Sequence, residues 1–366
     1  MKKNVRNKGK MKVLYLGNFS DPSYEGLMTI VGNLKSNLKN EVYENDKSKI
    51  GEADLISIHS SGFFESIGFS GMKGLKIYSL HANIVPLYFA RLLDYIQWLL
   101  FVYSRKNDYL SMTHRIVKIM ANLISNFTPL FVKRFFLNEM DAVIVPSKWL
   151  SGKLRLRNSY IIRQGIDVRK FKSTGKGNGS KIVMSFFGHP DSEKGIFELI
   201  DSFSKLQDSN IEKNMFFTEK TEKIENFISR KDKSVKVFGF VEDIVKEYND
   251  SDIVILPYRH SLGGIATPLV LLEAMACGRA IITTDLPHLR EICGDAVFYV
   301  KPYSVEDLLN AIRYLGGNPE LRKMLGKKAR ERAVKYYDQK KMFLEYEKLF
   351  EKLSLSHDNK QMPPKP

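Results

Sequence analysis

The residues of this chain that could do chemistry concentrate in two short segments of its second half. The first, GlyHisProAspSerGluLysGly at 188–195, joins the end of an apolar run to the start of a helical pattern. A strand that ends in Gly and opens a helix exposes backbone N–H groups at the positive end of the helix dipole, which suits a phosphate. Lys194 adds a full charge there, and His189 adds another when protonated. Ordinary helix starts also carry Glu and Lys, so the segment by itself leaves a structural reading open. The second segment, SerLeuGlyGlyIleAlaThrProLeuValLeuLeuGluAlaMetAlaCysGly, fills 261–278. Thr267 and Pro268 fit an N-cap followed by a first helical position, and Gly278 fits a C-terminal stop. Glu273 is the one acid between Asp252 and Asp285, in a helix that is otherwise apolar. Burying an unpaired carboxylate is expensive, so Glu273 needs a partner: ligand hydroxyls on one reading, a structural Lys or Arg on the other.

Other clusters fail as metal or redox sites. AspSerAsp at 250–252 has the spacing of a metal-binding acid pair, but Asp252 falls where a strand begins, opposite the edge where ligands bind. The seven His residues show no ligand spacing such as HExxH, so no metal site is expected. Cys277 and Cys293 are the only cysteines. They exclude a disulfide framework, a CxxC pair and a cysteine-rich zinc site, and predict a reducing, cytoplasmic location.

The elements that must position these residues follow an α/β alternation. Apolar runs at 13–16, 55–58, 75–80, 142–145 and 160–162 predict strands in the first half, with a helix at 27–38 after the first run. A glycine- and serine-rich stretch at 173–181 reads as a linker. Beyond it, strands are predicted at 182–187, 215–217, 235–238, 253–256 and 280–283, and helices at 194–206 and 268–276. AspAlaValIleValPro (141–146) and AspIleValIleLeuPro (252–257) echo one another across the linker and suggest two similar Rossmann-like domains, at 11–172 and 182–338. Ligands of such sheets sit beyond the carboxyl ends of the strands, and two facing domains make an interdomain cleft. Residues 1–10 read as a disordered basic arm, 339–354 as a final helix and 355–366 as a disordered tail.

Charge divides the chain unevenly. Residues 1–180 hold 28 Lys and Arg against 13 Asp and Glu, and residues 181–366 hold 29 against 28, so the first half carries nearly all of the net +16. An anionic partner follows: nucleic acid, a membrane surface or a phosphorylated substrate. No zinc-finger spacing or RRM-like signature supports nucleic acid. The longest charge-free stretches of the first half, 77–90 and 119–132, are 14 residues each, short of the roughly 20 needed to cross a bilayer. Aromatic-rich basic segments at 89–103, 115–125 and 131–136 fit a helix lying in a membrane interface and equally fit helices that cover the first sheet.

Taken in order, GlyHisProAspSerGluLysGly, ValLysValPheGlyPheVal, AspIleValIleLeuPro, ProLeuValLeuLeuGluAlaMetAlaCysGlyArgAlaIleIleThrThrAsp and LeuArgGluIle resemble the donor domain of retaining GT-B glycosyltransferases of family 4. AlaValIleValProSerLysTrpLeu and IleArgGlnGlyIleAspValArgLysPhe resemble the last strands of that family's acceptor domain. The resemblance implies an α/β GT-B fold, two Rossmann-like domains facing an interdomain cleft. It also implies a hexosyltransferase-type enzyme that retains configuration without a metal. Its donor would be a UDP- or GDP-linked sugar with no further cofactor, and its acceptor a saccharide or a lipid-phosphate-linked molecule. Polysaccharide or glycolipid synthesis at the inner face of a membrane fits that chemistry, with the first domain as the peripheral contact.

Carried over by residue, Lys194 matches the basic group that neutralises the donor diphosphate, and Glu273 the second acid of the EX7E motif, on the nucleotide ribose. The backbone at Thr267, Leu269 and Val270 would face the phosphates and sugar, and His189 stands where the family has an Arg. His81 resembles a histidine that approaches the transferred sugar, and Gly26 stands for the glycine of the first loop. Two departures are informative. The first EX7E acid is replaced by Ile265, which cannot hydrogen-bond a sugar hydroxyl, and AlaThrPro at 266–268 stands for GlyPheGly, placing a residue without an N–H near the phosphates. A neutral imidazole at 189 offers one donor where Arg offers five. A catalytically silent GT-B protein that binds a nucleotide sugar or a partner enzyme is therefore the first alternative, and a nucleic-acid-binding protein the second.

Overall fold

The computed structural model describes residues 10–17, 25–60, 64–69, 71, 73–81, 128–175, 180–190, 192–218, 220–260 and 266–361. They form two compact units. The first takes the described residues up to 81, those from 128 to 164 and those from 340 onward, and the second takes 165–339.

In the first unit the chain runs β1 (Lys12–Gly17), α1 (Glu25–Asn37), β2 (Glu41–Glu44), β3 (Leu55–Ser60), α2 (Phe64–Phe69), β4 (Lys76–Leu80), α3 (Leu130–Asn138), β5 (Ala142–Val145), α4 (Lys148–Leu154) and β6 (Ser159–Ile161). In the second it runs β7 (Ile182–Gly188), α5 (Ile196–Ser204), β8 (Ile211–Phe217), α6 (Glu222–Lys231), β9 (Val235–Phe238), α7 (Ile244–Asp250) and β10 (Ile253–Leu256). It continues through α8 (Leu269–Ala276), β11 (Ala280–Thr284), α9 (Pro287–Cys293), β12 (Phe298–Val300), α10 (Val305–Gly316) and α11 (Pro319–Tyr336). The last helix, α12 (Gln339–Gln361), returns to the first unit.

Both sheets are wholly parallel. The second has the order β9-β8-β7-β10-β11-β12, the 3-2-1-4-5-6 winding of a dinucleotide-binding fold, whereas the first is β2-β1-β3-β4-β5-β6, with the flavodoxin-like start 2-1-3. The two units are thus of one architecture but differ in strand order. Strands β3, β4, β5, β10 and β11 are buried along their whole length, as parallel strands covered on both faces must be.

The echo between the two halves has a local cause. Asp141 accepts the N–H of Lys76 at 2.8 Å, and Asp252 accepts that of Val183 at 2.7 Å. Asp54 does the same for Lys12 at 2.8 Å. Each Asp clips the start of its own strand to a neighbour, which explains the AspSerAsp segment without a metal.

The boundary falls before the glycine-rich stretch. Ile166, Val168 and Phe171 are buried in the second core, and Arg330 donates to the carbonyls of Val168 and Phe171 at 2.9 and 2.7 Å. Asn249 and Arg279 hold Lys172, Ser173 and Thr174 to the second unit, so the start of the expected linker is pinned. The expected tail at 355–366 is helical as far as Gln361. Met342, Phe343, Tyr346, Leu349, Phe350 and Leu353 recur at helical spacing and are buried in the first core against Val13, Leu55 and Ile77.

Candidate functional site

In the second unit the strand order reverses between β7 and β10, and the residues singled out from sequence gather around the carboxyl ends of these strands. Strand β7 ends at Gly188, and His189 follows, its Nδ1 2.8 Å from Thr218 Oγ1 beyond β8. The helix expected from residue 194 begins two residues later: Ser192–Lys194 forms a 3-10 turn and Gly195 caps α5. Gly195 has φ 71°, and a Cβ there would lie 1.9 Å from the carbonyl oxygen of Pro257. Only glycine lets this loop approach the end of β10 so closely.

Lys194 is brought by that approach over the Tyr258 ring, Nζ 5.5 Å from the centroid and 3.6 Å from Glu193 Oε1, with its side chain 19% exposed. The Arg259 backbone N–H donates to the Glu193 carbonyl at 3.0 Å. Its guanidinium forks the Glu198 carboxylate at 2.7 to 3.0 Å in a buried pair, between the rings of Phe197 and Tyr303. This pair holds the loop 193–198 to the residues beyond β10 and was not read from sequence. Its one signal there was an acid in the first turn of a helix.

Pro268, and not Thr267, occupies the N-cap position of α8, with no side-chain cap bond, and Thr267 is buried. The N–H groups of Leu269 and Val270 fall in the first turn, where an α-helix supplies no acceptor of its own. Both residues are half-buried. Glu273 accepts a hydrogen bond from the Tyr248 hydroxyl, 2.9 Å from Oε2. Tyr248 is buried on α7 beneath Phe187, and burial followed by the Glu273 charge pushes its phenol well up, so it stays a donor. Tyr258 is also pushed up, by burial first and then by charges that include Glu193 and Glu273. Lys194 thus sits over Tyr258 just beyond the end of β10. Ile265 lies outside the described residues.

In the first unit His81 follows β4 and donates its backbone N–H to Ser60 at 3.0 Å. Its imidazole is not a freely placed strand-end group. Nε2 lies 3.0 Å from His59 Nδ1, and His59 Nε2 lies 2.9 Å from Ser57 Oγ. Burial lowers His81 to about 4 and, with the neighbouring His81 and Lys35 charges, His59 well below its usual range. Both rings are neutral near pH 7. Gly26 lies in the first turn of α1, and the loop before it is outside the described residues. Among the described residues no group of three or more His, Cys, Asp or Glu could hold a metal, and no helix is long and apolar enough to cross a membrane.

Residues 167–332 match the model of the family described as Glycosyl transferases group 1. The second unit is therefore a Glycosyl transferases group 1 domain, and the relatives of the chain are glycosyltransferases. An uncharacterized glycosyltransferase of Methanocaldococcus jannaschii is 26% identical over 258 residues, 63% of this chain and 64% of that one. A second from the same organism is 26% identical over 229 residues, with 60% and 62% covered. The chain thus spans under two thirds of the length of these relatives. The N,N'-diacetylbacillosaminyl-diphospho-undecaprenol alpha-1,3-N-acetylgalactosaminyltransferase of Campylobacter jejuni is 31% identical over 123 residues, 33% of this chain and 31% of that one. Among solved structures, sucrose-phosphate synthase from Thermosynechococcus elongatus superposes with a TM-score of 0.72 at 14% identity, covering 95% of this chain and 100% of that one. Anabaena HepE in complex with UDP and glucose does so with a TM-score of 0.65 at 16% identity, covering 94% and 99%. The fold is GT-B, two Rossmann-like α/β domains.

Proposed function

We propose that this protein is a retaining, metal-independent glycosyltransferase that moves a sugar from a UDP- or GDP-linked donor to a saccharide or lipid-phosphate-linked acceptor. The observation that carries the proposal is the placement of Lys194 over Tyr258 at the switch point of the second sheet, with Glu273 held by Tyr248 on the helix that follows β10. A cation and a ribose-binding carboxylate at that place suit a nucleoside diphosphate. UDP in the HepE structure and the diphospho-linked acceptor in the name of the Campylobacter relative support the same chemistry.

In this mechanism the bond from the anomeric carbon to the diphosphate oxygen breaks, and the acceptor oxygen bonds to that carbon from the same face. The acceptor proton leaves with the diphosphate. Charge developing on the leaving group is offset by Lys194 and by the first-turn N–H groups of Leu269 and Val270. Glu273, oriented by Tyr248, takes the ribose hydroxyls. The donor sugar is held without a carboxylate at 265, and His189 stands in place of a guanidinium, adding charge against the diphosphate when protonated. His81 contacts the substrate at the carboxyl edge of the first sheet.

Acceptor delivery from an anionic membrane, on its cytoplasmic face, accounts for the basic first half. Phe131 and Phe135 stand one helical turn apart on α3 and are 70% and 63% exposed, as an interfacial helix requires. The basic segments at 89–103 and 115–125 lie outside the described residues.

Transfer and hydrolysis of radiolabelled UDP- and GDP-sugars, with a membrane extract as acceptor source, test the proposal. Lys194→Ala is expected to lower kcat/KM by roughly 100- to 1000-fold, and Glu273→Ala to raise the donor KM. Activity untouched by both substitutions overturns the site. Donor binding by the wild-type chain with neither transfer nor hydrolysis establishes the silent alternative, which Ile265 favours.

A further inference from the structure

We infer that His59 is a positioning residue that, with Ser57, fixes His81 as a hydrogen-bond donor through Nδ1, so that His81 orients a substrate oxygen and does not act as a general base. The inference rests on the placement of His81 at the substrate given above.

Its basis is a proton count along a buried chain of atoms. Ser57 is fully buried, and the single hydrogen bond of its hydroxyl among the described residues is to His59 Nε2 at 2.9 Å. A buried hydroxyl proton needs an acceptor, so it goes to that nitrogen. His59 Nε2 is then an acceptor, and a neutral imidazole with one acceptor nitrogen carries its proton on the other. His59 Nδ1–H points at His81 Nε2, 3.0 Å away. His81 must therefore accept at Nε2 and carry its own proton on Nδ1, the nitrogen on the other side of its ring. The opposite order would strand the Ser57 proton, an unmade buried bond that disfavours it by roughly ten- to a hundredfold.

The surroundings preserve that order. Tyr15 of β1 lies 5.6 Å from His59 with rings 21° apart, and Tyr346 of α12 lies 6.4 Å away at 20°. The Tyr346 hydroxyl turns to Ser79, and the nearby cation Lys35 opposes a proton on His59. His59 is 1% exposed and His81 8%, so what little of the pair meets solvent belongs to His81. Strands β3 and β4 are paired in register, His59 opposite Ser79, which sets the two rings side by side at the carboxyl edge of the sheet. A residue that hands on one proton in a fixed direction makes the terminal imidazole a donor of defined orientation.

Nitrogen-15 imidazole spectra of the full-length protein near pH 7 test this directly. Both His59 and His81 are expected as the Nδ1–H tautomer. His81 as the Nε2–H tautomer overturns the inference whatever the activity. Ser57→Ala removes the proton that sets the direction, and His81 is expected to become a mixture of tautomers; an unchanged His81 spectrum overturns the relay. In sugar transfer, His59→Phe is expected to lower kcat about tenfold with the donor KM changed by less than about threefold. His59→Asn, which keeps an N–H near the Nδ1 position, is expected to restore most of that loss, and equal losses in the two variants overturn the role. If His59→Phe does not fold, the spectra of the wild type and Ser57→Ala decide. Wild-type turnover in His81→Ala alongside the expected tautomers refutes the substrate contact of His81 and leaves the relay standing.

Discussion

The two units solve the problem of presenting polar groups at the carboxyl edge of a parallel sheet in opposite ways. The second unit keeps full charges there and pairs or screens them: Lys194 beside Glu193 and over Tyr258, Arg259 forked on Glu198, Glu273 on Tyr248. The first buries Ser57, His59 and His81 as neutral groups joined by hydrogen bonds. A charged site suits a diphosphate, whose charge grows as the bond breaks. A neutral, directional site suits a hydroxyl, whose orientation matters and whose charge changes little. The net +15 of the first half is thus carried elsewhere than in this buried cluster.

The largest expected effect tests how far the first unit depends on the end of the chain. Truncation after Gln339 removes six buried apolar side chains of α12 from the first core. At roughly 1.5–3 kcal/mol each, this amounts to on the order of 10 kcal/mol. The first unit is expected to unfold while the second keeps its calorimetric transition, and two surviving transitions would show that the first core does not need α12. Next comes the charged unit. Arg259→Met leaves Glu198 buried without its partner, and a loss of about 3–5 kcal/mol is expected in urea unfolding of the second unit. Arg259→Met with Glu198→Leu should recover most of it, and a double variant no better than the single would mean that packing, not the pair, holds the loop.

Acidification separates the units by size. His81 has a folded pKa of about 4 against about 6.5 unfolded, so its neutral form favours the fold. The associated stability is complete above about pH 6.5 and is lost as pH falls towards 4, with about 2 kcal/mol gone at pH 5. His288 in the second unit, also lowered by burial to about 4, behaves alike, but the first unit has His59 in addition. Between pH 7 and pH 5 the first unit should lose more, and His81→Asn should reduce its drop in Tm. An equal drop in that variant would place the acid sensitivity elsewhere. The smallest effect expected is that of Tyr248→Phe, which deletes one hydrogen bond to Glu273 for about 1 kcal/mol and raises the donor KM a few-fold with kcat unchanged. A kcat loss of equal size would make Tyr248 part of the transition-state contacts.

Sequence reading reached most strands of both sheets, because parallel strands buried on two faces are short apolar runs. It missed β2, whose residues Glu41, Val42, Tyr43 and Glu44 line an exposed edge, the three-residue edge strand β12, and the start of β8, where Lys213 interrupts the run. That ammonium is buried and satisfied by Asp232 and the carbonyls of Phe203 and Leu206, partners drawn from other elements. Lys194 and Glu273 were legible because their neighbours in sequence fix their elements. Their partners Tyr258 and Tyr248 were not, since both depend on the pairing of β7 with β10, parallel strands more than sixty residues apart in the chain. Thr267 was misplaced as a cap for a local reason: Pro268 at ψ 121° has not yet entered the helix.

What the amino-acid sequence determined by itself was local: the α/β alternation, the Asp clips at strand starts, the loop that only Gly195 allows and the uneven charge. The tertiary structure alone decided the partners. It set the Tyr248 hydroxyl on Glu273, took α12 into the first core, and set His59 against His81 from twenty-two residues away. The physical reason is that periodicity and turn chemistry act over a few residues, whereas the protonation and orientation of a buried polar group depend on whichever element lies next to it in space.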